Sequence, residues 1–282
     1  MTSLFVEQLT VIDCAYLDAT RGLVGESWIV DIELIGDLDE QSMVLDFGEV
    51  KRRIKKVIDQ SADHTLIVPQ QASGLSLHQA GERSSLSFRS ARGLIEHHSP
   101  SIALSVADTD RIDAAAVIAY LQPRVAAVLP PNVDELRLSL RSERIDGAFY
   151  HYVHGLKKHD GHCQRIAHGH RSRIHIGIGG QRQPALEAAL AQRWADIYLG
   201  TIDDLVDSSG GQCRYAYTAA EGRFELALPA AHVENLPGDT TVERIAEWIA
   251  SGRWLPGAPA ALEVRAYEGV MKGAIARRPI AA

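Results

Sequence analysis

The chain has 282 residues, 46% of them hydrophobic and 23% charged, with a formal net charge of −7 and a pI near 5.9. That is ordinary globular composition, enough for one large domain or two modest ones. Its acidity excludes the broad basic face of a nucleic-acid-binding protein, and no apolar run approaches the roughly 18 residues of a membrane-spanning helix.

In chain order, LTVIDCAYL and then RGLVGESWIVDIEL read as strands, the second with Trp28, Val30, Ile32 and Leu34 alternating with polar partners. DFGEVKRRIKKVID follows as a helix, with Phe47, Val50, Ile54 and Val57 spaced for one face. Its basic run, Lys51-Arg52-Arg53 then Lys55-Lys56, reads as the solvated side of that helix. GLSLHQAGERSSLSFRS reads as a hairpin, DTDRIDAAAVIAYL as a helix and LRLSLRSE as a last strand.

Past a boundary near residue 146 the same order returns. AFYHYVHGL is followed by RIAHGHRSRIHIGI, with Ile174, Ile176 and Ile178 alternating. PALEAALAQRWADI is the next helix, with Pro184 suited to its first turn. QCRYAYTAAEGRFELALP reads as a hairpin. DTTVERIAEWIA opens with the capping-box pattern Thr240-x-x-Glu243, and LEVRAYE is the last strand. Prolines in LPPNV and LPGAP mark matching loops before the two last strands. The chain is therefore read as ββαββαβ twice, an α+β arrangement in tandem, with residues 1–146 and 147–282 as its two domains.

Seven of the twelve histidines lie between residues 151 and 175, around His168-Gly169-His170. On an extended strand, side chains two apart share a face, so this pair is placed to bind one metal with a third histidine. Three neutral imidazoles with one open position describe a catalytic zinc site rather than a closed structural one. His154 is the candidate third ligand, with His151 and His159 close by in sequence. His162 and His175 read as supporting or surface groups. Cys163 precedes the pair, whereas Cys14 and Cys213 sit in apolar surroundings. Three cysteines make no disulfide framework and suit a reducing compartment. The N-terminal stretch lacks the basic segment and long apolar core of a secretory leader, so a soluble cytoplasmic protein is expected. Gly177-Ile178-Gly179-Gly180 reads as a turn, since it lacks the spacing of a dinucleotide-binding motif.

These residues resemble the family of 6-pyruvoyl-tetrahydropterin synthase and 6-carboxytetrahydropterin synthase, whose domains have the tunnelling (T-) fold. The resemblance spans nearly the whole chain, once per half, and implies antiparallel sheets with two helices on one face. Its markers are divided between the halves. The second half carries His154, His168 and His170 as the implied zinc ligands and Cys163 before them. The first half has Ala15, Val24 and Glu26 at the matching positions. The first half keeps Asp46-Phe47-Gly48 and the pair Asp63-His64, where the second reads Asp196-Ile197. Glu143 and Glu268 end the two last strands as candidate pterin anchors.

The resemblance implies active sites between neighbouring subunits, so each half here lacks what the other keeps. One composite site is expected, with zinc and thiol from the second half and Asp63-His64 from the first. The implied substrate is 7,8-dihydroneopterin triphosphate. Zinc acidifies its side-chain hydroxyls, a cysteine beside metal and imidazoles ionises readily to act as base, and a glutamate accepts N–H donors from the pterin ring. The leading expectation is a 6-carboxytetrahydropterin synthase of queuosine-type (7-deazapurine) biosynthesis. A 6-pyruvoyl-tetrahydropterin synthase, a folate-branch side-chain lyase and a non-catalytic pterin- or purine-binding homologue are the alternatives. Exposed sheet edges imply a homo-oligomer, for which a trimer of two-domain chains is one arrangement. Asp63-His64 also fits a helix C-terminal pair favoured by the dipole.

Overall fold

A computed structural model of the chain describes residues 2–257 and 262–277. The first half builds one five-stranded sheet. Its long central strands, β1 (Thr2–Asp18) and β2 (Gly22–Gly36), pair antiparallel. Two short strands, β3 (Leu66–Pro69) and β7 (Leu104–Ala107), run parallel beside β1. The last strand, β8 (Val133–Ser142), pairs with β2. The second half repeats the plan with β9 (Phe149–His154), β10 (His168–Ile178), β12 (Ala195–Thr201), β16 (Val233–Leu236) and β17 (Glu263–Tyr267). It adds an edge strand, β18 (Gly273–Arg277), and a short return, β11 (Gln181–Arg182), after the turn at Gly179-Gly180. The sequence reading missed the parallel pairs because TLIV and LSVA are too short to display alternation.

Helices cover one face of each sheet. The first is a helical run over 47–61, capped by Asp46, whose Oδ1 accepts from the Gly48 and Glu49 amides at 2.7 and 3.3 Å. A π-helical turn, Val50–Ile54, interrupts it. The turn rotates the buried face, so Val50, Ile54 and Ile58 are buried whereas Phe47 is exposed. The second helix, Ala114–Ala126, starts later than its apolar pattern suggests because Asp113 caps it through the Ala116 amide. The helices Pro184–Arg193 and Val242–Ala250 pack on the second sheet. Thr241, not Thr240, caps the last one. The LPGAP loop lies partly outside the described residues.

A third sheet joins the halves. Its order is β13 (Leu205–Asp207), β14 (Gln212–Ala219), β15 (Gly222–Pro229), β6 (Gly93–Pro100), β5 (Arg83–Ser90) and β4 (Leu75–Ala80). At its centre β15 pairs antiparallel with β6, so β14–β15 corresponds to β5–β6. The predicted hairpin of the first half, β4–β5, is thus one strand out of step with its presumed counterpart. A core shared by both halves lies under this sheet, with Leu17, Leu66 and Phe88 against Val153, Ile166, Tyr215 and Phe224. Burying each such side chain contributes roughly 1.5–3 kcal/mol. The halves are therefore held as one core is held, not as two docked modules.

The halves also cross backbone to backbone at Gly25 of β2 and Gly169 of β10. A Cβ on Gly169 would lie 2.6 Å from Gly25 Cα, and one on Gly25 would lie 1.9 Å from the Tyr152 carbonyl oxygen. The glycine between the two histidines is required by this crossing, which brings β1 of one half against β10 of the other.

Candidate metal and catalytic centre

His154 pairs in register with His168 across β9 and β10, and His170 follows two residues on, so the three imidazoles share one end of the second sheet. All three are buried. Their ring atoms converge, with ligand nitrogens within 4.8 Å of one another and His154 Nε2 3.2 Å from His170 Nε2. Two nitrogens sharing a tetrahedral zinc at about 2.0 Å stand about 3.3 Å apart.

Each imidazole is oriented through Nδ1. His154 Nδ1 lies 2.9 Å from the Thr240 carbonyl and 3.1 Å from its hydroxyl. His168 Nδ1 donates to the Arg165 carbonyl at 2.9 Å. His170 Nδ1 stands 3.1 Å from Asp13 Oδ1, as an ion-pair contact and not an aligned hydrogen bond. Such acceptors fix the tautomer that turns the Nε2 lone pair inward, and His168 Nε2 has no hydrogen-bond partner among the described residues. Burial, reinforced by the neighbouring imidazoles, pushes His154 and His168 well below the ordinary histidine value, which keeps them neutral. A buried unpartnered nitrogen within a set of three converging imidazoles fits a zinc ion.

The other wall comes from the first half. The His64 ring centroid lies 5.0 Å from that of His168 and 6.4 Å from that of His170. Cys163 Sγ lies within 4.8 Å of ligand nitrogens of both His64 and His168. The pair Asp63-His64 is clamped to β1: Asp13 N donates to Asp63 Oδ1 at 2.8 Å and His64 N to the Asp13 carbonyl at 2.7 Å. Asp63 Oδ2 holds His64 Nδ1 at 2.7 Å, leaving Nε2 for the thiol side. His64 has φ +53, a left-handed conformation uncommon outside glycine. Burial opposes its protonation, but hydrogen bonds to Asp63 and Cys163 outweigh that and raise it to about 10.

Asp13, which the sequence reading passed over, links both walls. It is buried among Ser27 (Oγ to Oδ1, 2.5 Å), His170 and Lys272 (Nζ to Oδ2, 3.2 Å). Burial alone would raise its carboxyl. The close contact with His170, then Lys272 and Ser27, holds it well below the usual range instead. Its signal was a lone acid inside the apolar strand VIDCAYL. Thr240 was also misassigned, since its side chain serves His154 rather than the helix.

Glu268 follows the end of β17, and the neighbouring Gly269 packs against Asp13, where a Cβ would lie 2.4 Å from Oδ1. Glu143 instead pairs with Arg173 at 3.0 Å. His162 binds Glu221 at 2.7 Å, and His151 Nδ1 meets the Gly25 carbonyl at 2.6 Å, away from the imidazole cluster. His175 stands against Tyr267 on the second sheet. Cys14 and Cys213 are buried in the apolar cores.

The register corrects two correspondences between the halves. Tyr16 pairs with Val24 as His154 pairs with His168, so Tyr16, not Ala15, stands at the His154 position. Asp196 (φ +57) sits on the bulge that His64 occupies in the first half. It therefore replaces His64, and Asp63 has Ala195 as its counterpart.

Duplicated sheets with covering helices, joined through a shared hairpin sheet around an imidazole centre, are those of the T-fold class. Within it, a sequence model described as 6-pyruvoyl tetrahydropterin synthase matches residues 15–102 and 147–279, and the chain belongs to that family. Among solved structures, a Plasmodium vivax 6-pyruvoyltetrahydropterin synthase is 18% identical and covers 50% of this chain and 97% of its own, with a TM-score of 0.36. A Plasmodium falciparum 6-pyruvoyl tetrahydropterin synthase is 18% identical, covering 50% of this chain and 91% of its own, with a TM-score of 0.41. No curated protein matches the chain. No described helix is long and apolar enough to cross a membrane.

Proposed function

We propose that the chain is a zinc-dependent pterin synthase/lyase acting on 7,8-dihydroneopterin triphosphate, with one composite site between residues 1–146 and 147–282. Its proposed product is 6-carboxytetrahydropterin, for 7-deazapurine (queuosine-type) biosynthesis. One observation carries this reading: Asp63-His64 of the first half lies against Cys163 and His168 of the second within a single chain.

His154, His168 and His170 would hold the zinc, which when bound supplies Lewis acidity toward the substrate's side-chain hydroxyls. Thr240, the Arg165 carbonyl and Asp13 keep the three rings aimed. Cys163 takes the proton beside the developing carbonyl. His64, oriented by Asp63 and favoured in its protonated form, exchanges a proton from the other side. Glu268 accepts the pterin N–H donors, whereas Glu143 is occupied by Arg173. We propose a cytoplasmic homo-oligomer, assembled through the edge strands β8 and β18.

The test is His64→Ala in the zinc-loaded protein. Activity falls by about 10²–10⁴-fold, the range for removing a general acid–base, while zinc content is unchanged. Full activity in that variant sinks the composite site. Release of acetaldehyde marks the carboxy-forming reaction, and triphosphate release with an intact three-carbon side chain marks the pyruvoyl one.

A further inference from the structure

Cys163 sits in a single 3-10 turn, His162–Gln164, within the loop over residues 155–167. The turn is held from outside the loop by the β14–β15 hairpin. Glu221, in the Ala220-Glu221 turn of that hairpin, spans both flanks of the cysteine. Its Oε1 lies 2.7 Å from His162 Nδ1, and Arg165 donates through Nε to Oε2 at 2.8 Å and through Nη2 to Oε1 at 3.1 Å. The Glu221 amide donates to Gln164 Oε1 at 2.6 Å, and the Tyr217 hydroxyl to the Gln164 carbonyl at 2.8 Å. His162, Gln164 and Arg165 are thus all bound to the hairpin. Arg165 is 2% exposed, and Glu221 is its one carboxylate partner among the described residues. A buried guanidinium is costly without such a partner, so this contact anchors the segment more firmly than a surface pair would.

The hairpin is itself fixed relative to the first half. β15 pairs with β6, and Tyr217 and Phe224 share a core with Leu66, two residues past His64. The same turn position recurs at the other junction, where Ala91-Arg92 links β5 to β6 as Ala220-Glu221 links β14 to β15. There Arg92 holds Asp196 at 3.0 Å, and Asp196 stands on the bulge that His64 occupies in the first half. Both hairpin turns therefore reach into a junction, with opposite charge. At the complete junction the carboxylate grips the loop that carries the thiol.

We propose that Glu221 is a positioning residue: from the hairpin turn it holds both flanks of Cys163 and so sets where the thiol stands against His64 and His168. Its consequence for turnover rests on the pterin reading, but its hold on the loop does not. A reacting group must be held close to its productive geometry by side chains that are themselves locked, and the loop has no strand pairing of its own to do this.

The experiment compares Glu221→Ala with Glu225→Ala, a carboxylate of the same hairpin that pairs with Arg223 at 2.7 Å, in the full zinc-loaded chain. Hydrogen exchange read by mass spectrometry should quicken at least about tenfold over residues 156–165 in Glu221→Ala and not in Glu225→Ala. On the triphosphate substrate Glu221→Ala should lower kcat roughly 10–100-fold, with KM and zinc content unchanged. In a Cys163→Ala background the same substitution should cost less than about twofold, because a residue acting through the thiol loses its effect with the thiol. Should the unpaired Arg165 charge unfold Glu221→Ala, adding Arg165→Met removes that charge and must give the same exchange and kcat losses. Unchanged exchange in the loop overturns the proposal, as does an equal loss of kcat with and without Cys163. Faster exchange in a chain that converts no pterin leaves the hold of Glu221 standing and removes the proposed function.

Discussion

The two halves present the same junction twice, and the two copies have diverged in opposite directions. At the complete junction Asp13 of the first half faces His170 of the second, 3.1 Å away. At the related junction His151 of the second half faces Glu26 of the first, 3.9 Å away. Carboxylate and imidazole have exchanged places. Where His154 and His168 leave inward nitrogens, Tyr16 and Val24 fill the first core. Where His64 stands, Asp196 takes an ion pair with Arg21 at 2.5 Å and another with Arg92 at 3.0 Å. The loop over residues 155–167 brings in Cys163, whereas its counterpart over 19–21 is a short turn contributing Arg21. One junction leaves the buried His168 Nε2 without a hydrogen-bond partner among the described residues, and the other satisfies its polar groups internally. An unpartnered polar group in a low-dielectric interior is costly, so a copy released from binding is expected to close on itself.

This contrast is open to attack at both junctions. The largest effect is expected from Asp13→Asn, which weakens the group aiming His170 without touching any of the three proposed zinc ligands. Zinc affinity should fall about 10–100-fold, the usual cost of losing an outer partner, as measured by competition with a chelator. Unchanged zinc affinity would show that Asp13 serves only the contact between halves.

Glu26→Gln probes the closed junction. Burial raises the Glu26 carboxyl from 4.5 to about 7, so the fold favours its neutral form. Its contribution is fully present below about 4.5 and is lost as pH rises through about 7. The Gln variant should escape that loss and gain about 2 kcal/mol on wild type between pH 5 and pH 8, read from denaturant unfolding. Parallel stability–pH curves would refute this account. The smallest effect is expected from Arg21→Met. Arg92 still pairs with Asp196 and Arg21 is partly exposed, so the loss should be about 1 kcal/mol, with zinc content unaltered. A loss of zinc would mean that the two junctions are coupled.

Much of the architecture is legible in the sequence because strand alternation and helix spacing are local signals. The long strands, the helices and the duplication are of this kind, as is the clustering of His168 and His170 on one strand face. The parallel strands β3 and β7 are not, because four apolar residues carry no periodicity. Nor is the exposure of Phe47, since the π-helical turn rotates the buried face after it. Asp13 and Thr240 were hidden by their neighbours: one sits in an apolar strand, and the other lies beside a residue that caps a helix.

By itself, the sequence determined that the halves share a plan, that only the second carries three histidines spaced to share a metal, and that an Asp-His pair at this position, Asp63-His64, stands only in the first. Only the tertiary structure decided that these parts meet within one chain. That meeting depends on the Gly25–Gly169 crossing and on β15 pairing with β6. It also depends on the clamp of Asp63 and His64 onto Asp13. These are contacts between residues far apart in sequence. They are set by which surfaces exclude water together, and no local pattern of residue types encodes that.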